Sequence, residues 1–60
     1  MDIIINVYTS AITITRVIKN IERPIEAINN LQSNEILSLI EQKKEEYKKF
    51  NITVIYNVDI

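Results

Sequence analysis

The sequence predicts an α+β fold. A small antiparallel sheet, built from an N-terminal hairpin or bulged strand plus a C-terminal strand, packs on a short helix and a longer amphipathic helix in the order ββααβ. Three observations predict it. Apolar and polar residues alternate near both ends of the chain, the period of a strand with one buried face. In the middle, apolar residues recur at helical spacing. Charge is concentrated in one segment, where eight of the fifteen residues from Glu35 to Lys49 are charged.

The first strand rests on Ile3, Ile5 and Val7, which alternate with Asp2 and Asn6, and the second on Ile12, Ile14 and Ile18, which alternate with Thr13 and Thr15. The parity flips between the two sets, so a turn or bulge is expected at Tyr8, Thr9, Ser10 and Ala11. A chain with no Gly lacks the usual two-residue hairpin turns, which leaves either a longer loop or one bulged strand. Pro24 suits a first helical turn, and Ile25, Ile28 and Leu31 follow at a spacing of three, which predicts a short helix ending in the polar stretch Asn29 to Ser33. Ser33 or Asn34 then caps a second helix over about Asn34 to Lys49, with Ile36, Leu37, Ile40 and Tyr47 on one side and Glu45 paired with Lys49. The last strand alternates Ile52, Val54, Tyr56, Val58 and Ile60 with Asn51, Thr53, Ile55, Asn57 and Asp59.

Sixty residues make one domain, and a domain of this size buries only about 60% of the surface that its unfolded chain exposes. A staple is therefore expected. With no Cys and no His, neither disulfides nor metal ligation by those side chains can supply it, and a homodimer is the favoured state. The 47% hydrophobic content argues against a disordered tail. The net charge of -1 gives no global attraction for nucleic acid or anionic lipid. The apolar run Ile3 to Ile5 is far short of a membrane span, and Asp2 spoils a signal-peptide start, so the expected location is the cytoplasm.

Catalysis is not expected, because nucleophilic and acid–base mechanisms usually recruit Cys, His or a perturbed carboxylate. Glu41, Glu45 and Glu46 sit among Lys43, Lys44, Lys48 and Lys49, the pattern of a solvated helix face. Without Gly there is no phosphate-cradling loop and no sharply turned calcium loop, so no cofactor and no metal are expected. Asn51-Ile52-Thr53 matches a glycosylation acceptor but opens an apolar strand, and is read as chance. Tyr47, Phe50 and Tyr56 are expected to close the core. Ile4, Tyr8 and Ile55 are apolar where the pattern calls for polar residues, which makes them candidates for a protein interface. Arg16 interrupts the second apolar stripe. It reads as an edge-strand charge that discourages aggregation, or as an ion-pair donor to a partner.

A strand at Ile12 to Ile18, a helix from Pro24 and a longer helix from Asn34 together resemble ribbon-helix-helix regulators, in which paired strands of a dimer enter the major groove. That resemblance implies Thr13, Thr15 and Arg16 as DNA-contacting residues. The composition points elsewhere: Ile, Asn and Lys make up 26 of 60 residues, similar to products of AT-rich genomes such as those of low-GC bacteria and their phages. The leading expectation is a small non-enzymatic protein-binding module, an inhibitor of a host protein encoded by a phage or mobile element. The alternatives are a DNA-binding dimer and an oligomer holding a small ligand between subunits.

Overall fold

The computed structural model describes residues 1–57. Val58 and Ile60 of the expected alternation lie outside the described residues. Four strands and one helix follow one another as β1 (Asp2–Val7), β2 (Ile12–Ile18), β3 (Ile21–Ile28), α1 (Ser33–Glu46) and β4 (Asn51–Tyr56), so the order is βββαβ. The strands form one mixed sheet in the spatial order β3-β2-β1-β4. β1 pairs antiparallel with β2 and parallel with β4, so the expected all-antiparallel sheet is corrected to a mixed one. Alternation identifies a strand but carries no information on the direction of its neighbour.

The parity flip between the first two apolar sets is a hairpin, as the hairpin alternative required. The Tyr8 N–H donates to the Ala11 carbonyl at 2.8 Å and closes the loop, and Ile5 faces Ile14 while Val7 faces Ile12.

The short helix is overturned: Ile21–Ile28 is a strand, paired antiparallel with β2. Two features explain the difference. The chain reverses through Lys19 (φ 51°) and Asn20 (φ 68°), two consecutive left-handed residues between the paired Ile18 and Ile21, which is the geometry of a type I′ turn. Asn tolerates that region better than most residues, so the hairpin closes without Gly. Further along, Ile14 faces Glu26 but Thr15 faces Pro24, so Ile25 is an extra residue in a bulge. The bulge resets the face of the strand and leaves a spacing of three between Ile25 and Ile28, which Leu31, beyond the strand, continues as a helix would. Pro24 lies in an edge strand next to that bulge, where a missing N–H costs little. With this segment extended, the strand-helix-helix order behind the regulator resemblance is absent, and both edges of β2 are occupied within the chain.

The expected second helix is present but shorter. Gln32 is its N-cap, and the Gln32 N–H donates to the Glu35 carboxylate at 2.9 Å, the reciprocal half of a capping box. It ends at Glu46, so Glu45 pairs with Lys48 (2.8 Å) rather than with Lys49. Ile36 and Ile40 press on Ile3, Ile5, Val7, Ile12 and Ile14, which together form the core. Leu31, Leu39, Tyr47, Ile28, Ile52 and Val54 pack around it. Of the three aromatics expected to close the core only Tyr47 does so, since Phe50 and Tyr56 are exposed. Lys43 is buried beneath the helix, and its ammonium donates to Glu26 of β3 at 2.7 Å and to Glu46 at 3.1 Å. No described helix is long and apolar enough to cross a membrane.

Candidate functional site

The helix covers one face of the sheet and leaves the other open. In β1 the odd residues Ile3, Ile5 and Val7 point under the helix, so Asp2, Ile4 and Asn6 point away from it. The register then assigns the rest of the open face. Ile4 lies between Thr15 of β2 and Thr53 of β4, Asn6 between Thr13 and Ile55, and Asp2 between Val17 and Asn51. The middle of this surface is Val17, Thr15, Thr13, Ile4, Thr53 and Ile55, with no charged side chain among them. Ile4 and Val17 are half-buried by their neighbours, and Ile55 is 41% exposed. Among the described residues no element packs over this face.

Polar groups hold its ends. The Asn51 side chain donates to the Asp2 carboxylate at 3.2 Å, and Asn57 Nδ2 donates to Asn6 Oδ1 at 3.4 Å. These contacts tie β4 to β1 at both ends of their parallel ladder.

The fold therefore brings four of the residues expected from the sequence onto one surface: Ile4, Ile55, Thr13 and Thr15. It separates the others from them. Tyr8 stands in the β1–β2 loop, 38% exposed, beyond the end of the strand. Arg16 faces Ile3 across the ladder and so points to the helix side. Its reading as an edge-strand charge is corrected, because β2 is an inner strand. Arg16 instead faces Arg23 across the β2–β3 hairpin. With Lys19, Ile18 and Ile21 these two line a shallow pocket of about 300 Å³ at the hairpin tip. No described carboxylate pairs with Arg16, Lys19 or Arg23. A wider groove of about 470 Å³ runs between the helix and β3, lined by Ile28, Leu31, Leu39 and polar helix residues.

Sequence reasoning missed Val17 and Thr53 on the open face, although both share parity with residues already singled out there. It missed Arg23 and Lys19 because the hairpin that brings them to Arg16 was not foreseen, the residues after them being read as a helix. Leu37 was placed on the buried side of the helix but is 66% exposed, since Ile36, Ile40 and Lys43 occupy the strip that meets the sheet.

The electrostatics beneath the helix form a closed system. The hydrogen bond that the Lys43 ammonium donates to Glu26 holds it above its ordinary pKa although burial pushes the other way, and Glu46 adds to the upward shift. Burial pushes the Tyr47 phenol up, reinforced by the negative charges of Glu26 and Glu46. These groups lock helix to sheet and lie on the opposite side from the open face.

Compared with protein families, with curated proteins and with solved structures, the chain matches none.

Proposed function

We propose that the chain is a small non-enzymatic protein-binding module that docks a partner on the open face of its sheet. The observation that carries this reading is the one-sided coverage of the sheet. A four-stranded sheet with a single helix leaves Ile4, Val17 and Ile55 on an uncovered surface whose carboxylates, Asp2 and Glu22, flank it at the Val17 end. Such contiguous apolar surface on a small domain is what protein interfaces use, and Thr hydroxyls between the aliphatic groups supply hydrogen bonds that water satisfies until the partner arrives.

The partner in this reading is a cytoplasmic host protein, and the chain is its inhibitor, encoded by a phage or mobile element. That origin rests on the Ile-, Asn- and Lys-rich composition. Affinity capture from a low-GC bacterial lysate tests the reading with three baits: the native chain, Ile55→Lys and Thr15→Lys. A specific protein retained by the native chain and lost by both variants is the expected result. Capture undiminished by either charge on the open face overturns it.

A further inference from the structure

We infer that two copies of this chain join through the outer edge of β4, antiparallel about a two-fold axis at Val54, so that their sheets become one. This contact uses a strand edge and does not depend on what the open face binds.

The two edges of the sheet differ in how they are guarded. β3 carries Pro24, a bulge at Ile25 and the charges Glu22, Arg23 and Glu26, the devices by which edge strands avoid pairing with other chains. β4, Asn-Ile-Thr-Val-Ile-Tyr, has no Pro, no bulge in its pairing with β1 and no charge. Such a segment is a template for another strand.

The backbone shows which groups it offers. The Asn57 N–H donates to the Val7 carbonyl at 2.9 Å, so Asn57 turns its backbone groups toward β1. Since N–H and C=O of one residue point to the same side and alternate along a strand, Thr53 and Ile55 do the same, while Ile52, Val54 and Tyr56 turn theirs outward. No described residue pairs with that outer edge.

Those three residues are symmetric about Val54. In an antiparallel pair centred there, Val54 meets its own copy and Ile52 meets Tyr56 of the second copy, each pair exchanging both backbone hydrogen bonds. A register shifted by one residue leaves outward groups unused. The side chains agree with this choice. Ile52 against Tyr56 is a favourable β-branched and aromatic cross-strand pair, and on the other face Thr53 meets Ile55. No like charges are opposed anywhere along β4.

The exposed apolar residues point the same way. Leu37 and Tyr56, 66% and 64% exposed, are the two most exposed large hydrophobics described. Tyr56 lies on the helix side of β4, and Leu37 lies on the helix flank opposite the groove over β3. Only seven hydrophobic residues among those described are buried, a core that calls for added stabilisation in a chain of this length.

Sedimentation equilibrium of the full chain tests the inference, with twice the 7.0 kDa protomer mass expected. Val54→Pro removes an N–H that has no partner among the described residues, so the monomer keeps its own ladder and the mass falls by half. Tyr56→Lys, at a side chain already in solvent, gives the same loss by placing charge in the pair. Because the chain has no Cys, single Thr53→Cys and Ile55→Cys variants report the register. Oxidation of their mixture gives more crosslinked dimer than either alone. A native chain that sediments as a monomer at about 100 µM, a concentration at which a functional dimer is populated, overturns the inference. So does a dimer that survives both Val54→Pro and Tyr56→Lys.

Discussion

Lys19 sits at φ 51° and Asn20 at φ 68°, in a turn that holds both residues in the left-handed region. For a residue with a Cβ that conformation costs roughly 1–2 kcal/mol, less for Asn, whose short polar side chain tolerates it. Lys has no such tolerance, so Lys19 carries most of the cost of the β2–β3 turn. Lys19→Gly removes the steric term, about 1–2 kcal/mol, and adds the extra unfolded-state entropy of Gly, about 0.5–1 kcal/mol. The difference is a stabilisation of about 0–1.5 kcal/mol, with a midpoint of about 0.75 kcal/mol. For a domain of this size the midpoint raises Tm by roughly 3–6 °C. Thermal unfolding followed by circular dichroism measures it, at one fixed protein concentration so that association contributes equally. Glu22→Gly, in the neighbouring strand, is the control and loses about 0.5–1 kcal/mol. If Lys19→Gly falls in stability alongside Glu22→Gly, the turn does not strain the chain and the reasoning fails.

Other consequences can be measured alongside it. Lys43 and Tyr47 both have folded-state pKa values raised above their ordinary ones, so the native state holds protons that the unfolded state releases, and stability falls as pH rises above about 10. Urea midpoints between pH 8 and pH 11 read that slope, and Lys43→Met with Tyr47→Phe flattens it. Lys43→Met alone leaves Glu26 without its cation under the helix and costs on the order of 1 kcal/mol, Glu26 being partly solvated. Adding Glu26→Leu returns part of the loss, which a double-mutant cycle by urea denaturation resolves. Ile5→Ala, at a side chain with no exposed surface, costs about 2–5 kcal/mol against a total stability of roughly 3–9 kcal/mol for a chain of this length. Ile21→Ala, at a side chain 60% exposed, stays within about 0.5 kcal/mol by the same assay.

Much of the fold is legible in the residues. β1, β2, β4 and α1 each announce their period, and the flip of parity between Val7 and Ile12 locates the first turn. β3 is hidden by its own bulge, because one inserted residue changes a period of two into a spacing that imitates a helix. Pro24 then reads as a helix start instead of an edge-strand residue. That single error propagates to Arg16, which seemed to guard an edge because the strand beside it was not recognised. The direction of β4 is not legible, since which strand it joins depends on tertiary packing alone. In the candidate site, Ile4 and Ile55 were readable as parity violations. Their grouping with Thr13 and Thr15 required the register, which no local pattern encodes.

The parallel pairing of β1 with β4 has a consequence in time. The hairpins β1–β2 and β2–β3 close over short loops, whereas β4 meets β1 across nearly the whole chain, the Asn51 to Asp2 side-chain bond spanning 49 positions. Loop closure on that scale costs entropy before any contact forms, so the three-stranded meander assembles first and β4 arrives last. By the same ordering β4 is the strand that leaves most readily from a protomer that is not paired with a second copy. Its amides exchange with solvent sooner than those of β1 and β2, and each departure uncovers the flank of β1, the most deeply buried strand in the molecule.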